Sequence, residues 1–326
     1  MPKAKPVAEP QYVTVGWQGV TAEIPDDWNI GAISGDKKQG YVRFDDDTMA
    51  RLEIKWASQT GFVDLEKVVS KYLADIEKAR GKSRQPIEIE PDIKLISRRR
   101  RKRASQRCFH WKAEIEAYGA AWVCKDCGRT MISQVSVAPE DDPEAARELA
   151  ASVLLSITDH ATAGWALWSA YGLSAWVPDD FALSGQKLMA GLIELEFERG
   201  TEKLKVARWG MANVALKKKS FQDWLGGELS KTFRKQSVRL PEETQIKGHP
   251  GLAIEGGKLK TVQTVQCFLA HCTGKLYADR FIARAWHCDP TNRILYVEGL
   301  LDRSHIGLPD EVAERIECHP EPQKGA

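Results

Sequence analysis

The chain has no uninterrupted apolar run approaching the ~18–20 residues that a membrane-spanning helix needs. It also lacks charge of one sign. With 47 basic and 45 acidic residues the net charge is +2, so any attraction to nucleic acid or an anionic surface has to come from a local patch. Seven cysteines are an odd number, and their spacing matches no disulfide framework. The start of the chain, Met1-Pro2-Lys3-Ala4-Lys5-Pro6, carries no apolar signal core. The expectation is therefore reduced thiols in a cytoplasmic protein. Three catalytic signatures are missing as well: a phosphate-binding glycine loop, a nucleophile elbow and a helical His-Glu-x-x-His. Their absence leads us to expect a protein that is not an enzyme and carries no cofactor.

What is present is an internal repeat. Gly19-Val20-Thr21-Ala22-Glu23-Ile24-Pro25-Asp26-Asp27-Trp28 matches Gly172-Leu173-Ser174-Ala175-Trp176-Val177-Pro178-Asp179-Asp180-Phe181 at five of ten positions identically. Both read as a strand that stops at proline and enters an Asp-Asp turn. Further matches follow in the same order. Gly40–Phe44 answers Gly191–Leu195, and Trp56 answers Trp209. Ala121-Trp122-Val123-Cys124 through Arg129 aligns without a gap on Ala285-Trp286-His287-Cys288 through Arg293.

Each copy also holds an amphipathic helix. In the first, Leu65, Val68, Val69, Tyr72, Leu73 and Ile76 form one stripe behind Asp64. In the second, Phe221, Trp224, Leu225, Leu229 and Phe233 form a similar stripe behind Ser220, weakened by Gly226-Gly227. A closing helix opens at Pro143 in one copy and at Pro309 in the other. The expected organisation is a repeat domain over 12–157, a linker over 158–164 short enough to imply packed domains, and a second repeat domain over 165–318. Disordered tails are expected at 1–11 and 319–326.

Runs of strands broken by two helices predict an α+β fold with a mainly antiparallel sheet. The Pro-Asp-Asp-aromatic turn, the closing helix and the glycine turn in Ile246-Lys247-Gly248-His249-Pro250-Gly251-Leu252-Ala253 resemble the PsbP/Mog1-like family of α-β-α sandwich domains. The first copy departs from that pattern with Ile89-Glu90-Pro91-Asp92-Ile93-Lys94. The resemblance implies a binding, assembly or accessory module and a protein partner.

Four features compete as candidate sites. Cys124-Lys125-Asp126-Cys127-Gly128 reads either as a zinc knuckle, with Cys108 and His110 as the nearest further ligands, or as a plain hairpin turn. Cys267, His271, Cys272, His287 and Cys288 form a second thiol and imidazole set, with Cys267 aligned on Cys108; buried cysteines of this kind also serve as small core residues. Arg98, Arg99, Arg100, Arg101, Lys102 and Arg103 form a basic run. It suits a polyanion or nucleic acid, or a solvated strand face in which Arg99 and Arg101 stand opposite Lys258 and Lys260. Among eleven tryptophans, Trp165, Trp168 and Trp176 have no tryptophan counterpart in the first copy and are assigned to a domain junction or partner surface. The paired carboxylates Asp26-Asp27 and Asp179-Asp180 are expected to bond local amides.

Overall fold

The computed structural model describes residues 11–81, 86–96, 105–161, 163–257 and 277–319. The chain divides into two compact units, Met1–Thr162 and Ala163–Ala326. Among the described residues, each unit contains one two-stranded hairpin and one seven-stranded antiparallel sheet.

In the first unit, β1 (Tyr12–Trp17) and β2 (Val20–Pro25) form the hairpin. Next come β3 (Asn29–Gly35), β4 (Gln39–Asp45) and β5 (Ala50–Ser58), a meander that ends at the middle of the sheet. Helix α1 (Leu65–Arg80) then carries the chain to the far edge. There β6 (Glu88–Glu90), β7 (Gln106–Lys112), β8 (Glu116–Val123) and β9 (Arg129–Val137) step back until β9 pairs with β5. The sheet order is therefore β3-β4-β5-β9-β8-β7-β6, and helix α2 (Pro143–Ser156) follows it.

The second unit repeats this path. Its hairpin is β10 (Trp165–Ala170) with β11 (Leu173–Pro178). Its sheet runs β12 (Ala182–Met189), β13 (Leu192–Arg199), β14 (Glu202–Gly210), β18 (Arg293–Leu301), β17 (Arg280–Cys288), β16 (His249–Gly256), β15 (Glu242–Ile246). Three short helices, α3 (Ala212–Ala215), α4 (Phe221–Glu228) and α5 (Ser230–Gln236), take the place of α1, and α6 (Leu308–Glu314) takes the place of α2.

Local chemistry explains the boundaries. Asp64 caps α1 by accepting from the amides of Glu66 and Lys67, and Asp142 caps α2 through Ala145 with proline in the first turn. Ser220 accepts from the Asp223 amide to open α4. The helical stripe read across Phe221–Phe233 is interrupted: Leu229 ends α4 and α5 begins at Ser230. Gly226 and Gly227 just before the break add nothing to hold one straight helix. The Pro-Asp-Asp turns close through the main chain. The Trp28 amide donates to Pro25 at 3.1 Å, as Phe181 does to Pro178. The Asp180 carboxylate serves another purpose, accepting from Arg199 at 2.7 Å.

Strand β8 is buried at six consecutive positions, Ala117–Trp122, so both faces of the sheet are covered. Helix α1 lies on one face, where Val69 and Leu73 pack with Phe109, Trp111, Ala117 and Ala121. By strand alternation Trp122 points to the other face, the side of the β1–β2 hairpin and α2. Sheet dominates each unit and helices are few, and one covering layer is shared between a helix and a hairpin. The architecture is thus mainly sheet rather than a clear α-β-α sandwich.

Several sequence expectations change here. The strands β1 and β3 escape the sequence pattern; β3, Asn29-Ile-Gly-Ala-Ile-Ser-Gly, is an edge strand with two glycines and little alternation. The segment expected to be a linker belongs in part to the first unit, because Thr158 pairs with Thr21 in an antiparallel bridge. At its other end, Gln11 already accepts a bond from the Asp26 amide at 2.9 Å. The alignment of Cys267 on Cys108 does not hold. In register, Gln106 faces Trp122 on β8 while Gly251 faces Trp286 on β17, so the counterpart of Cys108 is Ala253. The long excursion falls between β6 and β7 in one unit and between β16 and β17 in the other, which shifts any alignment made on cysteines alone.

Candidate metal centre

The β8–β9 turn places the first two donors. The Cys124 amide donates to the Arg129 carbonyl at 2.9 Å, and the Gly128 amide donates back to the Cys124 carbonyl at 3.1 Å. Gly128 sits at φ +69°, which the tight return requires and which a glycine tolerates without strain. The intervening Lys125-Asp126-Cys127 brings Cys127 over Cys124, and the amides of Cys127 and Asp126 point at the Cys124 sulfur. Burial drives the Cys124 thiol up to about 12, while those two amides pull in the opposite direction. A sulfur that is buried and ringed by amides is suited to a thiolate when a cation neutralises it.

The other two donors come from the segment that leaves α2. Thr158 exchanges main-chain bonds with Thr21 in both directions, at 2.9 and 3.1 Å, and this fixes Asp159 and His160 beside the turn. The His160 Nδ1 lies 3.4 Å from the Cys124 sulfur and 2.7 Å from Asp159 Oδ1. Donor atoms of Cys124, Cys127, Asp159 and His160 all lie within 4.8 Å of one another. A tetrahedral zinc ion, with Zn–S about 2.3 Å and Zn–N about 2.0 Å, holds its sulfur and nitrogen ligands about 3.5 Å apart. The observed sulfur-to-nitrogen spacing fits that geometry.

The surrounding groups hold the carboxylate and supply charge. Buried Trp122 donates its indole N–H to Asp159 Oδ2 at 2.6 Å. Arg129 is 3% exposed and donates to the carbonyls of Asp159 (2.8 Å), Gln18 (3.0 Å) and Lys37 (2.6 Å). Burial lowers its pKa, against which Cys127, Asp159 and Cys124 act as nearby negative partners. Its guanidinium stays charged in any case.

Of the four residues expected to share an ion, the structure joins Cys124 and Cys127 and separates Cys108 and His110. Cys108 pairs in register with Ala120, four residues before Cys124, and its sulfur lies 3.9 Å from the Gln106 side-chain amide. His110 stacks on Tyr118, and its two ring nitrogens face Glu90 at 2.9 Å and Glu116 at 3.0 Å. Sequence reasoning missed Asp159 and His160 because they stand 32 or more residues from the knuckle in a stretch that looks like a linker. The only local hint was an adjacent Asp-His pair just after the closing helix.

The remaining candidates fall as follows. Arg98–Arg103, Cys267, His271 and Cys272 lie outside the described residues, as do Lys258 and Lys260. His287 projects, by strand alternation, to the face opposite Cys288. Trp168 is a core residue at 3% exposure, edge-on to Phe197. Trp165 lies under the Arg315 guanidinium at 4.1 Å, and Trp176 is partly exposed on β11. Trp56, Trp122, Trp209 and Trp286 are buried.

No protein-family profile and no curated protein matches this chain. Among solved structures it is similar to the apo immunity protein TplEi of T6SS from Pseudomonas aeruginosa, with TM-score 0.37 and 8% identity over 94% of this chain and 96% of that one. The same protein complexed with "L" peptide gives TM-score 0.32 and 9% identity over 95% and 98%. Overlap this loose carries no argument about function. No helix among the described residues is long and apolar enough to cross a membrane.

Proposed function

We propose that this chain is a non-catalytic binding protein whose first domain is braced by a zinc ion held by Cys124, Cys127, Asp159 and His160. The observation behind this reading is that two donors from a hairpin turn and two from the chain after α2 converge in one partly buried group. Catalytic zinc keeps one position open for water, with three protein ligands; four protein ligands close the sphere and make the ion structural. Such an ion ties the end of α2 to the β8–β9 turn. It leaves the outer surfaces of the domain available to a protein partner, in line with the binding and accessory role that the PsbP/Mog1-like resemblance implies.

The test is metal analysis of the full chain purified without chelator, repeated on Cys124→Ser/Cys127→Ser. The proposal expects zinc in the parent and a loss of one equivalent in the variant. Equal metal content in the two proteins rejects this site. Cobalt substitution adds a spectroscopic check, since thiolate-bound Co(II) shows sulfur charge-transfer absorption, and the share of it that comes from Cys124 and Cys127 must disappear in the variant.

A further inference from the structure

The second unit gathers its own thiols and imidazoles at the same place in the fold. We infer that His249, Cys288, Cys318 and His319 form a second zinc site, the quasi-equivalent of the first, built from a different ligand set. Their donor atoms also lie within 4.8 Å of one another, and three of the four residues are buried. This inference rests in part on the reading of the first site, and the experiment below separates the two.

The correspondence is geometric. In the first unit the Thr158 amide donates to the Thr21 carbonyl; in the second, the Glu317 amide donates to the Ser174 carbonyl at 3.1 Å. Thr21 and Ser174 are matched residues of β2 and β11, so Thr158 corresponds to Glu317. Asp159 and His160 therefore correspond to Cys318 and His319. On the hairpin, Trp122 faces Met131 and Trp286 faces Leu295 in register, which matches Cys124 with Cys288. Three of the four positions are thus shared between the units.

The fourth ligand differs, and the difference is compensated. Thr291 occupies the turn position of Cys127, and its hydroxyl donates to the Cys288 sulfur at 3.1 Å. That leaves one donor short. His249, at the start of β16, supplies it, with Nε2 3.5 Å from the Cys318 sulfur. His319 Nδ1 lies 3.2 Å from Cys318 and 3.4 Å from Cys288. These three sulfur-to-nitrogen spacings cluster about the tetrahedral value of about 3.5 Å. The His249 and His319 rings meet nearly at right angles, 82° apart, so that two imidazoles approach one point without stacking.

Charge matching supports the same assignment independently. Two thiolates and one carboxylate around a divalent ion leave the first site with one negative charge, and the enclosed Arg129 guanidinium cancels it. Two thiolates and two neutral imidazoles leave the second site neutral, so no buried cation is needed. The arginine matched to Arg129 is Arg293, which is only partly buried and makes a bond to the Gly172 carbonyl at 2.8 Å. The unit with the extra anionic ligand is the one that encloses its arginine.

The experiment counts ions in the full-length chain. Protein purified without chelator is treated with a mercurial that displaces metal from thiolates, and released zinc is read with a chromogenic indicator. Two equivalents per chain are expected, with one remaining in Cys124→Ser/Cys127→Ser and one remaining in Cys288→Ser/Cys318→Ser. His249→Gln, which keeps both thiols, guards against a misfolded serine variant; it is expected to weaken zinc affinity in one site at least tenfold. One equivalent in the parent, lost with Cys124→Ser/Cys127→Ser and untouched by the other changes, overturns the second site and leaves the first standing. One equivalent lost only with Cys288→Ser/Cys318→Ser supports the second site and overturns the first. No zinc overturns both and makes these groups plain thiol–imidazole hydrogen bonds.

Discussion

The indole N–H of Trp122 donates to the carboxylate of Asp159 at 2.6 Å, joining a core strand to the segment that leaves α2. Both residues are buried, so neither side of this bond can turn to water instead. Asp159→Asn keeps an acceptor for the indole and removes the charge. Asp159→Ala removes both and orphans a buried donor. The alanine variant is expected to be less stable than the asparagine variant by about 1–3 kcal/mol, read as the difference in urea midpoint at equal slope.

Arg129 and Arg293 make a second comparison. Arg129 holds three carbonyls from three separate segments in a buried pocket, whereas Arg293 is partly exposed. Arg129→Met strands those carbonyls and unbalances the first site, and is expected to cost about 2–4 kcal/mol and to lower zinc content. Arg293→Met is expected to cost less than half as much and to leave zinc content unchanged. Thermal denaturation and metal analysis of the two variants check this.

Glu202 offers a pH prediction. Its side chain is fully enclosed and accepts from the Asp302 amide (3.0 Å), His305 (2.8 Å) and Arg199 (2.7 Å). Burial alone would raise its pKa, but the Asp302 amide, His305 and Arg199 together bring it below the ordinary 4.5. The folded value is lower than the unfolded one, so as pH falls the unfolded chain takes up the proton first. The stabilisation is present above pH 4.5 and drains away as pH drops through the lower folded value. Glu202→Gln is expected to destabilise at neutral pH by about 1–3 kcal/mol, because Arg199 loses one carboxylate and keeps its pair with Asp180. It should also flatten the acid limb of a melting-temperature profile below pH 4.5.

Gly119 tests the packing of α1 on the sheet. A Cβ there would stand 2.1 Å from the Phe109 ring. Phe109 is fully buried in the cluster that seats Val69 and Leu73, so the ring has no free space to enter. Gly119→Ala is expected to destabilise the first unit by about 1–3 kcal/mol. Ala120→Gly, on the opposite face, removes only a methyl group and serves as the comparison.

Much of the fold was legible because repeated local chemistry marks it. Asp64, Asp142 and Ser220 cap helices where the pattern puts them, and the Trp122 and Trp286 hairpins align without gaps. The sites were legible only in their sequence-local half. Cys124 and Cys127 announce themselves by spacing, whereas Asp159, His160, Cys318 and His319 reach the turn through a main-chain bridge to β2 or β11 that no periodicity encodes. His249 is harder still, since a histidine opening a strand after a glycine turn reads as turn chemistry. The cysteine-based alignment failed for a related reason: the two units place their long excursions after different strands, which only strand pairing reveals.

A diffraction experiment at the zinc absorption edge tests the central claim most directly. Crystals of the full chain grown without added metal or chelator are predicted to give two anomalous peaks per chain. One should fall among Cys124, Cys127, Asp159 and His160, and the other among His249, Cys288, Cys318 and His319. Ordered side chains at both places with no anomalous signal at either would contradict the account.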